Sequence, residues 1–220
     1  MIKAILFDLD GTLLDRESSL NNFIDDQYDK FINYLKHIEI TTFKNKFIEL
    51  DKNGYVWKDK VYAQLIDYFN INHLTLDVFL NDYTTNFWKS CLPYPNLYKT
   101  LKILTSNNYK LGIITNGKFP FQYNNIESLK IEEYMDIILV SEKEEVKKPN
   151  PLIFERAAKK LGVKLNECIF VGDSLDNDYK ASKIAGMYPI YKANNDQYSI
   201  STIPTIQDLS EIPCMINNYN

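Results

Sequence analysis

The chain has 220 residues, 45% of them hydrophobic and 25% charged, a balance that supports a buried core and argues against disorder. A net charge of −4 and a sequence pI near 5.3 exclude a basic nucleic-acid surface as the main feature, yet leave room for a local positive pocket that takes a small anion. Cys91, Cys168 and Cys214 are far apart and form no Cys-x-x-Cys pair, so neither a disulfide framework nor a zinc site is expected. No segment approaches the roughly 20 apolar residues of a membrane span, and the first apolar run is too short for a signal peptide, so the expected compartment is the cytoplasm.

Residues 2–7 form a nearly unbroken apolar run, as expected of a strand buried on both faces of a parallel sheet. It ends at Asp8-Leu9-Asp10-Gly11-Thr12. From 16 to 92 the pattern is helical throughout. Leu20, Phe23, Ile24, Phe31, Ile32, Leu35 and Ile38 recur at helical spacing, as do Trp57, Val61, Leu65, Ile66 and Phe69, then Leu76, Phe79, Leu80, Tyr83 and Phe87. This block reads as a helical subdomain inserted into an α/β domain, with Pro93 and Pro95 marking the return. Three more apolar runs follow. Residues 110–114 end at Thr115-Asn116-Gly117, residues 136–140 end at Ser141, and residues 168–171 end at Gly172-Asp173. Between the last two, residues 151–161 form an amphipathic helix, with proline at its start and Gly162 after its end. Strands alternating with helices predict an α/β fold with a largely parallel, Rossmann-like sheet. Residues 192–202 read as a polar surface loop and residues 217–220 as a frayed end.

The chemistry-bearing residues cluster at strand ends. Asp8 and Asp10 are two apart just past a buried strand, so their carboxylates point to one side, at the edge where open α/β sheets bind ligands. Paired carboxylates either split their pKa values or share a cation; the plainer reading is a solvated turn. Asp173, Asp176 and Asp178 form a second acidic turn, able to add a carboxylate to a Mg2+ site or, more plainly, to cap a helix. Thr115 and Asn116 suit a phosphate cradle before a helix, or an ordinary Asn-Gly turn. Lys148, beside Pro149, offsets phosphate charge or is a solvated lysine like Lys143 and Lys147. In the helical block, Asn53-Gly54-Tyr55-Val56-Trp57-Lys58 stands out as a possible substrate-facing turn; the preferred expectation is that Trp57 packs inward and Lys58 is solvated. His37 and His73 are given no role.

Taken together, Asp-x-Asp-Gly-Thr, Thr-Asn-Gly, Lys-Pro-Asn-Pro and Gly-Asp-Ser-x-x-Asn-Asp resemble, in order, the four motifs of the haloacid dehalogenase-like superfamily, spread from residue 8 to residue 178. The helical block at 16–92 resembles that family's type 1 cap, on a core of residues 1–15 and 93–220. The resemblance implies a Mg2+-dependent phosphatase acting on a small phosphorylated metabolite, with neither a nucleic acid polymer nor a membrane as partner. It implies that Asp8 is the nucleophile and Asp10 the acid and base. Thr115 and the Asn116 backbone would hold the phosphoryl group, and Lys148 would neutralise charge. Asp8, Asp173 and the Asp10 carbonyl would ligate Mg2+, with Asp178 orienting the site, partly by pairing with Lys148. The cap would close over the site and read the leaving group. Asp10 favours an oxygen leaving group, which needs a proton, over a halide, which does not. A phosphomutase or dehalogenase on the same fold is the rival enzyme, and a non-enzymatic binding protein is a weaker third. Sugar phosphates, nucleotides and phosphoglycolate all remain open as substrates, as does the oligomeric state.

Overall fold

A computed structural model describes residues 1–194 and 202–219. The chain divides into two compact units, one of residues 1–16 and 92–220, the other of residues 17–91. Among the described residues, no helix is long and apolar enough to cross a membrane.

The larger unit is built on a six-stranded parallel sheet. Its strands are β1 (Ala4–Phe7), β2 (Lys110–Thr115), β3 (Ile137–Val140), β4 (Cys168–Gly172), β5 (Tyr188–Lys192) and β6 (Thr205–Ile206), in the spatial order β3-β2-β1-β4-β5-β6. All four residues of β1 are buried, because the strand lies mid-sheet with helices packed on both faces. Helix Pro151–Leu161 supplies one covering layer. It begins at Asn150, whose side chain accepts the Leu152 N–H at 3.0 Å, and stops at Gly162. Its Ile153, Phe154, Ala157, Ala158 and Leu161 pack on Leu6 and Phe170.

Sheet register positions the loops that matter. Phe7 lies opposite Ile113 of β2 and Val171 of β4. Asp8, Thr115 and Asp173 therefore leave the sheet within about two residues of the same edge. The chain runs outward from β1 through β2 to β3, then returns to place β4 on the other side of β1. Such a reversal of strand order opens a crevice at the carboxyl ends of the strands.

The sequence reading missed β5 and β6. Pro189 interrupts the apolar pattern of β5, and a proline inside a short run weakens a strand assignment. Lys192, expected in a surface loop, is instead the buried last residue of β5. Residues 195–201 of that expected loop lie outside the described residues, as does Asn220.

The smaller unit is helical, with no strand among its described residues. Tyr62 stacks on Phe79 with ring centroids 5.0 Å apart, and its hydroxyl donates to Gln27 Oε1 at 2.9 Å. Trp57 meets Tyr83 edge-on at 6.2 Å, the inward packing expected of it. The expectation for Lys58 fails. Its side chain is buried and paired with Asp51, with its ammonium 5.0 Å from the Tyr83 ring centre. The aromatic wall would otherwise strand a bare ammonium, so the buried partner is what makes the position tenable.

Candidate active site

The turn after β1 is tightly wound. Leu13 and Leu14 both donate backbone N–H groups to the Leu9 carbonyl, at 3.0 and 2.9 Å. Gly11 sits at φ +80°, and a Cβ built there would lie 2.0 Å from Asp173 Oδ2. Glycine is thus needed twice, for the left-handed backbone and for the approach of the carboxylate from β4.

Asp8, Asp173 and Asp178 each offer an oxygen within 4.8 Å of the others. The ammonium of Lys148, a buried residue, lies 2.6 Å from Asp8 Oδ1 and 2.6 Å from Asp178 Oδ1. The second oxygen of Asp178 accepts the Ser174 N–H at 2.9 Å, so both its oxygens are engaged from inside the protein. Asp173 Oδ2 takes a long 3.2 Å contact from Asn194 Nδ2. Asn194 also donates to the Gly11 carbonyl at 2.8 Å and accepts from Lys192 Nζ at 2.8 Å.

Charge at the site is out of balance. Burial, with help from Asp178 and Asp173, pushes the Asp8 carboxyl well above the usual range against the pull of Lys148. Burial also raises Asp173, to about 7, with Asp178 and Asp10 adding to it and Lys148 opposing. Burial alone would lower Lys148, but Asp178 and Asp8 more than reverse that, and it stays firmly protonated. With Asp178 taken up by Lys148 and Ser174, the clustered Asp8 and Asp173 are the carboxylates left to serve a hard divalent cation with oxygen ligands, and that donor chemistry fits Mg2+.

Thr115, Asn116 and Lys148 are brought to the same edge in unequal ways. The Asn116 side chain accepts the Lys148 N–H at 2.9 Å and donates to the Lys148 carbonyl at 2.8 Å, a two-bond clamp on the lysine backbone. The sequence points to the Asn116 amide and backbone as parts of a phosphate cradle and gives no sign of this clamp. Gly117, beside it, is not among the positive-φ residues. The Asp10 carboxyl lies near enough to add to the charge at Asp173 but takes a different partner, accepting from Gln122 Nε2 at 2.5 Å. Gln122, Lys192 and Asn194 were all missed. No strand-end acidic or Thr-Asn signal marks them, and Gln122 occupies an ordinary position in the helix Phe121–Ser128.

The family model for haloacid dehalogenase-like hydrolases matches residues 5–191. A glyceraldehyde 3-phosphate phosphatase of Methanocaldococcus jannaschii is 31% identical, over 96% of this chain and 97% of that protein. A phosphoglycolate phosphatase of Photorhabdus laumondii is 28% identical, over 100% of this chain and 90% of its own. The crystal structure of a HAD phosphatase from Thermococcus onnurineus superposes with a TM-score of 0.71 at 27% identity, covering 98% of both chains. With the family model spanning most of the chain, the protein belongs to the haloacid dehalogenase-like hydrolases.

Proposed function

We propose that this hydrolase is a phosphatase that cleaves small phosphate monoesters through a phosphoryl group carried on Asp8. The observation that carries the reading is the separation of the two carboxylates after β1. Asp8 is buried against Lys148, while the Asp10 carboxyl is bonded to Gln122 and not to Lys148. One is suited to attack and the other to move a proton.

In the first half-reaction a carboxylate oxygen of Asp8 attacks phosphorus as the bond to the leaving oxygen breaks. Asp10 gives that oxygen a proton. Water, stripped of a proton by Asp10, then displaces Asp8 and releases phosphate. Lys148 offsets charge beside Asp8, and its ammonium is kept protonated by the two carboxylates it touches. Thr115 and the Asn116 backbone hold the phosphoryl oxygens. Asp178 fixes Lys148, and the Asn116 amide fixes the lysine backbone. Mg2+ would be held by Asp8, Asp173 and the Asp10 carbonyl, and would supply the positive charge that keeps the carboxylates ionised and draws charge from the phosphoryl oxygens. The division into two displacements replaces one hard step by two easier ones.

Relatives named for glyceraldehyde 3-phosphate and phosphoglycolate make short phosphorylated metabolites the first substrates to test. The helical unit, residues 17–91, is the part we assign to choosing among leaving groups. The test is hydrolysis of an aryl phosphate, then of a metabolite panel, with and without Mg2+, beside Asp8→Asn. Mg2+-dependent release that vanishes in the variant is expected, and release that survives Asp8→Asn refutes the reading.

A further inference from the structure

We infer that Gln122 is a positioning residue for proton transfer by Asp10, and that Gly117 is glycine in order to admit it. The inference rests on the reading of Asp10 as acid and base.

Gln122 is the second residue of the helix Phe121–Ser128, and its side chain is 3% exposed. Its amide nitrogen donates to Asp10 Oδ2 at 2.5 Å and to Thr115 Oγ1 at 2.8 Å. A primary amide nitrogen carries two hydrogens, and these are the two short contacts; a third, to the Asn116 carbonyl, is long at 3.4 Å. Its oxygen accepts from Asn125 Nδ2 at 3.1 Å, and Asn125 is itself buried. That bond fixes which end of the Gln122 amide faces the carboxylate.

The consequence is directional. Asp10 Oδ2 and Thr115 Oγ1 are both committed as acceptors to one nitrogen. Among the described residues, Asp10 Oδ1 has no hydrogen-bond partner, and the Thr115 hydroxyl has no acceptor for its proton. Oδ1 is therefore the oxygen left to exchange a proton with substrate, and the Thr115 hydroxyl is left to donate to a phosphoryl oxygen. In the first half-reaction the Oδ1 proton passes to the leaving oxygen, which keeps the electron pair of the broken P–O bond. Asp10 is then a carboxylate, still anchored through Oδ2. In the second half-reaction Oδ1 takes a proton from water as the water oxygen bonds to phosphorus and the bond to Asp8 breaks, which restores the starting state.

Gly117 makes room for this amide. A Cβ built there would lie 2.6 Å from Gln122 Cγ and 3.1 Å from its Nε2, although the backbone at Gly117 is not left-handed. The requirement is space and not conformation.

The experiment compares kcat/KM for p-nitrophenyl phosphate, whose leaving group needs little protonation, with that for glycerol phosphate, whose alkoxide needs a full proton. In Gln122→Met the alkyl ester should lose about 10–100-fold while the aryl ester changes far less, the size usual for a residue that orients a reacting group. Gly117→Ala, which pushes Gln122 aside from the opposite wall, should shift the same ratio, and it serves if Gln122→Met does not fold. Equal losses on both esters, or none on either, overturn the proposal. Asp10→Asn separates this failure from that of the underlying reading. If Asp10→Asn leaves the ratio unchanged, the role of Asp10 falls; if it moves the ratio and the Gln122 and Gly117 variants do not, only the Gln122 inference falls.

Discussion

Replacing Lys148 by methionine removes the one ammonium in contact with Asp8 and Asp178. Both contacts are 2.6 Å, and the lysine side chain is 2% exposed, so solvent does not replace what is lost. Breaking a buried ion pair from one side costs about 3–5 kcal/mol, because the remaining charge is left without compensation. Here two carboxylates are stranded beside Asp173, so the loss should fall at the upper end of that range at pH 7.5 without metal. It should shrink as pH falls and Asp8, whose carboxyl burial already raises, takes up a proton. Urea unfolding in EDTA followed by far-ultraviolet circular dichroism is the suitable assay. Tryptophan fluorescence is not, because Trp57 and Trp88 both lie in the helical unit and report on it instead. The double variant Lys148→Met/Asp178→Leu should be more stable than the sum of its parts by about 1–3 kcal/mol, since it deletes both members of one pair. A loss below about 1 kcal/mol for Lys148→Met would equate the pair with a surface salt bridge and refute the reasoning.

Other consequences follow from the same geometry. Asp173, raised to about 7 in the metal-free protein, contributes stability that is full below the ordinary carboxylate range and is lost as pH rises through about 7. Metal-free protein should thus melt lower at pH 8 than at pH 5.5, and the stabilisation by Mg2+ should be larger at pH 8; a Mg2+ effect independent of pH contradicts this. Gly11→Ala, with its Cβ 2.0 Å from Asp173 Oδ2, should weaken Mg2+ binding measured by calorimetry, whereas unchanged affinity would mean that the turn and the carboxylate move apart freely. In the helical unit, Lys58→Met leaves Asp51 buried without its cation and should cost about 3–5 kcal/mol, read here by tryptophan fluorescence; a shift under about 1 kcal/mol would deny the pair its structural role.

The parallel sheet was legible because strands buried on both faces read as continuous apolar runs, and β1, β2 and β4 each have a residue with chemistry at their last position or just past it. Register then does what sequence spacing cannot express. Asp8 and Asp173 are 165 positions apart in the sequence, yet they leave neighbouring strands at one edge. Less was legible where a residue works through another. Gln122 carries no signal in its own neighbourhood, since its partners Asp10 and Thr115 lie on other elements. Lys58 and Lys192 were read as solvated because lysine usually is. Their burial depends on Asp51 in one case and on Asn194 and the Tyr94 ring in the other, contacts that only the folded chain brings about. Gly117 reads as part of an ordinary Asn-Gly turn, and nothing in its local sequence shows that a Cβ there would meet Gln122.

The account turns on a covalent phosphoryl group at Asp8. Acid quenching during turnover of an aryl phosphate, followed by borohydride reduction and peptide mass spectrometry, tests it directly, because borohydride converts an acyl phosphate to the alcohol. The account predicts homoserine at residue 8 and nowhere else, dependent on substrate. Turnover with Asp8 unmodified, or with the trapped group on another residue, would contradict it.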